Sequence, residues 1–181
     1  HSAQPDNLCV HYELGEASAV DACIAASAHN VIVELVNNRV APSPLEPRAS
    51  VAQPTECGLT LYNPSQGAVA QKAVLRSVFK QADLPSLQGD NDIRVISPDT
   101  GGGFGIRGEV SAEACLVLFA ADALNRPVRY LGDRSEMFVA DSHGRDNLTT
   151  ATAGFDVDGN LTALRVETTA NLGLYYRGDA H

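Results

Sequence analysis

The residues with the clearest chemical potential lie at 98–109, Pro-Asp-Thr-Gly-Gly-Gly-Phe-Gly-Ile-Arg-Gly-Glu. Glycine occupies positions 101, 102, 103, 105 and 108. A stretch this bare lets another group approach the backbone closely, and it allows positive φ at little cost. Backbone N–H groups exposed in such a turn can hold an anion or an oxo ligand. A merely tight strand-to-helix turn would use the same glycines.

The triad of glycines in Gly103-Phe104-Gly105-Ile106-Arg107-Gly108 also matches G-x-G-x-x-G, the pattern of a pyrophosphate loop in a dinucleotide-binding module. Asp133 would then be the ribose carboxylate. Four polar residues, 97–100, separate these glycines from the preceding strand, whereas the fingerprint sets them at the strand end. No Walker Lys-Ser/Thr follows, so phosphoryl transfer is not expected.

Several elements must position this loop. Residues 8–15 could form a short strand, and 16–29 carry Ala, Val and Ile at helical spacing. Residues 31–38 are rich in β-branched types and read as a strand, and prolines 42, 44 and 47 enforce an extended link. Short strands at 48–53 and 58–63 precede a helix from about 63 to 84, with Asn63 or Ser65 as candidate caps. A strand at 92–97 leads into the glycine loop, a helix spans 109–124, a strand 126–131 and a short helix 133–141. A hairpin over 148–176 turns at Asp158-Gly159. The fold class expected is α+β: a strand-strand-helix-strand-helix-strand mixed sheet starting near residue 31, helices on one face, plus a C-terminal β-hairpin. By domain, residues 1–30 read as a linker or the end of a preceding domain, 31–147 as the first part of a cofactor-binding domain, and 148–181 as the hairpin that starts its next segment.

Composition narrows the partners. The chain of 181 residues is 44% hydrophobic and 19% charged, enough for a real core. Its formal net charge of −9 disfavours nucleic acid and anionic membrane surfaces. No apolar run approaches a membrane span. Cys9, Cys23, Cys57 and Cys115 form no C-x-x-C pair, so no metal site is expected and reduced thiols of a cytoplasmic protein are. Glu46 and Arg48 could pair and pin the Pro-rich link. His143, Arg145 and Asp146 could form one polar network, and Arg134 with Glu136 could staple the corner after the last sheet strand. The chain starts at His1 and stops within a strand-like pattern, as an excised piece of a longer protein would.

The segments DTGGGFGIR at 99–107, NRPVRYLGDRSE at 125–136 and HGRD at 143–146 together resemble the molybdenum-binding large subunit of the xanthine dehydrogenase, aldehyde oxidase and aerobic carbon monoxide dehydrogenase family. NNR at 37–39, LEPRA at 45–49, YNPSQG at 62–67, DGNLTAL at 158–164 and NLGLYY at 171–176 follow the same order. The resemblance implies that the turn 101–105 lies against a molybdenum–pyranopterin, a molybdopterin cytosine dinucleotide. Gly102, Gly103, Phe104 and Gly105 would be cofactor-binding, with the amides of Phe104 and Gly105 facing the oxo ligands and pterin. Gln66 would hydrogen-bond a ligand of the metal; without the resemblance it reads as a residue solvating a first helical turn. The resemblance further implies a hydroxylase oxidising carbon monoxide, an aldehyde or an N-heterocycle, served by an FAD-binding medium subunit and an iron–sulfur small subunit. Arg107 stands where the family usually has Lys. Where some members place a substrate-facing carboxylate this chain has Gly108, with Glu109 one residue later. The catalytic Glu and the substrate loop of the family fall beyond this chain. No catalytic residue is therefore expected in it, and the isolated chain is expected neither to retain the cofactor nor to turn over.

Overall fold

A computed structural model describes residues 6–83 and 93–173. The chain divides into two compact units. The described residues up to Val40 and from Gly144 onward form one, and Ala41–His143 form the other.

The second unit carries the glycine turn. It runs β2 (Ala49–Thr55), β3 (Gly58–Tyr62), α2 (Ala68–Gln81), β4 (Ile93–Ile96), α3 (Ala112–Leu124), β5 (Val128–Leu131) and α4 (Arg134–Ala140). The four strands make one sheet in the order β4-β3-β2-β5. β3 and β4 pair in parallel, while β2 is antiparallel to both β3 and β5. Alternation along the strands puts Leu59 and Leu61 of β3, Ala52 of β2 and Ile93 of β4 on one face. Leu75 and Phe79 of α2, four residues apart, pack on that face. So do Ala114, Val117, Leu118 and Ala121 of α3, at helical spacing. Both long helices thus cover the same side of a mixed sheet, as the apolar periodicity requires.

The polar end of this face is closed by a buried chain of amides. Ser50 Oγ donates to Asn63 Oδ1 (2.6 Å), and Asn63 Nδ2 donates to Gln71 Oε1 (3.0 Å). Gln71 Nε2 in turn donates to the carbonyls of Arg107 (3.1 Å) and Glu109 (3.0 Å). A Gln that is 1% exposed inside a helix is tolerable only with its polar atoms paired, and here the partners are the carbonyls leaving the glycine loop. Helix α2 and the loop are therefore one polar unit at this end.

The first unit holds α1 (Ala17–Ala26) and a three-stranded antiparallel sheet of β1 (His29–Asn37), β6 (Asn147–Phe155) and β7 (Leu161–Ala170), in the order β1-β6-β7. α1 lies on one face, joined by Asp21–Arg165 (2.8 Å) and by Ser27 Oγ to Thr162 Oγ1 (2.7 Å). Gly154 is required there, because a Cβ would overlap the Ser27 hydroxyl. The β6–β7 turn is organised by Asp156, whose carboxylate accepts from the Asn160 side chain (2.9 Å) and from the backbone N–H groups of Asn160 (2.8 Å) and Asp158 (2.9 Å).

Some expectations change. The mixed sheet begins at Ala49, not near residue 31, because β1 pairs with the hairpin strand β6. Residues 8–15 contain no strand. Neither Asn63 nor Ser65 caps α2: its N-cap is Gly67, and Asn63 is buried in the amide chain instead. Arg48 pairs with Asp141 rather than with Glu46. Asp146 takes Arg39 (2.8 Å) and Asn171 (2.8 Å) as partners, while His143 Nε2 lies 3.3 Å from the Phe138 carbonyl, so no single His143–Arg145–Asp146 network forms. Cys23 is free and exposed. Leu84, Asp92 and the end of the proposed hairpin at 174–176 lie outside the described residues.

Two outcomes test this architecture. Leu61→Ala removes a fully buried side chain from the centre of the sheet and should cost about 3 kcal/mol in chemical denaturation. Hydrogen bonds from Asn160 hold the Asp156 carboxyl below its ordinary value. A lowered folded-state value means a contribution present above about pH 4 and lost as the pH falls through the folded-state value. The gap in unfolding temperature between the parent sequence and Asp156→Ala should thus be widest near neutrality and close on acidification.

Candidate functional site: a glycine turn clamped from two sides

The segment 97–109 follows β4, and six residues, 106–111, separate Gly105 from α3. Two other segments hold it. On one side lies 63–67, between β3 and α2. Asn63 N–H donates to the Ile96 carbonyl (3.0 Å), Ser65 N–H to Thr100 Oγ1 (3.3 Å) and Gln66 N–H to the Arg107 carbonyl (3.0 Å). Gln66 then turns its side chain onto the turn itself. Its Oε1 accepts from Gly105 N–H (3.0 Å) and Arg107 N–H (3.2 Å). On the other side lies 44–48. Glu46 Oε2 accepts from Gly101 N–H (2.9 Å), and Glu46 N–H donates to the Gly101 carbonyl (3.3 Å).

The glycines follow from these approaches. At Gly101 a Cβ would overlap the Cβ of Glu46, and at Gly103 it would sit 2.5 Å from Gln66 Cδ. Gly102 has φ +109° and would meet the Phe104 ring at 2.8 Å. Gly105 differs: nothing lies within 4 Å of its Cβ position, and its φ of +92° alone calls for glycine. Phe104 also takes a positive φ of +50° and is 72% exposed. A side chain at Gly103 would therefore disturb this chain's own Gln66 before it met any ligand.

Arg107 underpins the turn. It is 2% exposed, and its Nη2 donates to the Glu46 carbonyl (2.7 Å). Arg48 donates to the Ile106 carbonyl (3.4 Å) and pairs with Asp141. Arg134 caps the Pro44 and Leu45 carbonyls at 2.6 and 2.8 Å. Arg107 and Arg134 thus satisfy carbonyls of the irregular, Pro-rich link that no strand partner serves, and Arg48 satisfies one of the glycine loop. Desolvation, then the neighbouring Arg48, lower the Arg107 pKa, and Glu46 and Asp141 oppose them. Glu136 belongs to a capping box with Asp133 at the start of α4, the corner role expected of it.

Among the described residues, the N–H groups of Gly102, Gly103 and Phe104 donate to nothing, and neither does the Gln66 amide nitrogen. Gln66 is exposed. Four donors therefore remain on a turn that Glu46 and Gln66 hold at Gly101, Gly105 and Arg107. This is a donor set for a ligand rich in oxygen or sulfur acceptors. A separate open hollow of about 410 Å³ is lined by Glu113, Tyr130, Ser135, Glu136, Val139 and Ala140, none of which bonds to the turn.

The fold gives a pyrophosphate loop no support. The sheet is mixed, its helices cover one face, and six residues part the turn from α3, whose N-cap is Ser111.

The profile of the Molybdopterin cofactor-binding domain matches residues 1–180. The chain is 32% identical over 177 residues to the nicotine 6-hydroxylase large subunit of Paenarthrobacter nicotinovorans, covering 96% of this chain and 20% of that protein. It is 31% identical over 163 residues to the carbon monoxide dehydrogenase large chain of Hydrogenophaga pseudoflava, covering 89% of this chain and 19% of that one. The structure of reconstituted CO dehydrogenase from Oligotropha carboxidovorans superposes with a TM-score of 0.73 at 30% identity, over 88% of this chain and 19% of that one. Quinoline 2-oxidoreductase from Pseudomonas putida 86 gives 0.71 at 30% identity, over 84% and 19%. The chain belongs to the molybdopterin cofactor-binding domain family. It spans about a fifth of the length of these relatives.

Sequence reasoning placed Gln66 at the turn and missed Glu46, which it paired with Arg48. Glu46 sits between Leu45 and Pro47 in an irregular link. The only available signal was an acid in a Pro-fixed segment without a helix or strand to serve.

Gly103→Ala should displace the Gln66 side chain. Amide exchange at Gly105 and Arg107 should then accelerate while exchange in α3 stays unchanged. Unaltered rates at both amides would show that Gln66 does not hold the turn.

Proposed function

We propose that this chain forms one wall of the cofactor site of a molybdenum hydroxylase. In this reading Gly102, Gly103 and Phe104 offer backbone donors, Gly105 leaves room above the backbone, and Gln66 offers its amide nitrogen to an oxo or sulfido ligand. The observation that carries it is the division of labour in Gln66. Its oxygen is engaged twice by the turn, and its nitrogen has no partner among the described residues. A bound molybdenum–pyranopterin would supply two-electron oxidation of a substrate. What these residues do is hold and orient it: the double acceptor fixes the turn, and the remaining donors meet its electron-rich edge in a fixed geometry.

Relatives described as large subunits or as a complex subunit support a parent that works in a multi-subunit oxidoreductase. FAD-binding and iron–sulfur partners are proposed on the same ground, as are the cytosine dinucleotide form of the cofactor and a cytoplasmic location. Among the described residues no helix is long and apolar enough to cross a membrane. The proposed substrates are those of the family: carbon monoxide, an aldehyde or an N-heterocycle. The isolated chain is proposed to be inactive, since the family's catalytic Glu falls outside it.

The test is molybdenum and pterin content per folded parent polypeptide. Gln66→Glu keeps the double acceptor but loses the amide donor, and should lower loading about tenfold with little change in thermal stability. Full loading in this variant, or a wild-type parent with neither molybdenum nor pterin, would refute the assignment.

A further inference from the structure

Resting on that reading, we propose that Glu46 is the second positioning residue of the cofactor turn, acting through Gly101 as Gln66 acts through Gly105. The two clamps are built alike. Each is a side-chain oxygen accepting a turn N–H, at 2.9 Å for Glu46 and 3.0 Å for Gln66. Each is reinforced by a backbone hydrogen bond from the same residue, Glu46 N–H to Gly101 and Gln66 N–H to Arg107. Each presses on a glycine whose Cβ would crowd the clamp, Gly101 under Glu46 and Gly103 under Gln66. Between the clamped amides of Gly101 and Gly105 lie the three residues whose N–H groups have no partner among the described residues.

The clamps also share one anchor. Arg107 gives its backbone N–H to Gln66 and its Nη2 to the Glu46 carbonyl. The buried guanidinium thus sets the spacing between the two holding segments, while Pro44 and Pro47 limit how Glu46 can move away. With Gly101 released, the turn would keep one end fixed and lose the aim of its donors.

The hydrogen bond, rather than the negative charge, does the positioning. Glu46→Gln preserves an acceptor oxygen, and Glu46→Ala removes it. In the full-length parent, Glu46→Ala should lower molybdenum per folded protein about tenfold and accelerate exchange of the Gly101 amide. Glu46→Gln should restore both. Gly101→Ala, which crowds Glu46 without touching its charge, should mimic Glu46→Ala and serves if that variant folds poorly. Unchanged loading with faster Gly101 exchange would overturn the inference while leaving the Gln66 assignment intact. So would failure of Glu46→Gln to restore loading, which would assign Glu46 to balancing the charge of Arg107. A wild-type parent devoid of cofactor would instead remove the reading beneath both.

Discussion

Everything at this site depends on a buried arginine whose backbone and side chain bind two different segments at once. Arg107 is almost wholly shielded from water. Its carbonyl receives Gln66 N–H and Gln71 Nε2, its own N–H reaches Gln66 Oε1, and its guanidinium holds the Glu46 carbonyl. Burying a guanidinium is costly unless its surroundings repay it. Here the return is geometric: an irregular loop, with no strand to pair with, is fixed to the helix α2 start and to the Pro-rich link. The apolar core beneath, where Leu61, Leu75 and Leu118 are fully buried, gives that fixture a rigid base.

This arrangement explains why the glycine turn is bare. Its glycines serve two purposes that the sequence alone could not separate. Gly101 and Gly103 make room for side chains of this chain, Glu46 and Gln66. Gly102 and Gly105 supply backbone conformations that other residues adopt with strain, and only Gly105 opens onto empty space. Of the glycines in the turn only Gly105 has an open Cβ position, whereas the N–H groups of Gly102, Gly103 and Phe104 stay without a partner among the described residues.

Much of this was legible beforehand because it is local. The periodicity of Leu75 with Phe79, and of Ala114, Val117, Leu118 and Ala121, wrote the helix faces into the sequence. The Asp-Gly turn gave the hairpin, and the motif strings gave the family. Long-range pairing was not legible. β1 reads as one more strand of the nearest sheet, and only the register with Asn147–Phe155, more than a hundred residues away, assigns it elsewhere. Asn63 and Ser65 read as caps because cap residues look alike whether they face a helix start or a buried amide. Glu46 read as the partner of Arg48 because ion pairs close in sequence are the simplest guess, yet Arg48 meets Asp141, 93 positions on.

In the proposed reading, the unpartnered amides of Gly102, Gly103 and Phe104 are the face presented to the cofactor. Amide hydrogen exchange on the parent protein, compared with and without bound molybdenum–pyranopterin, tests it most directly. These three amides should be strongly protected on loading, with Gly101 and Gly105 already protected before it. A loaded protein in which the three amides exchange as fast as in the cofactor-free form would contradict it.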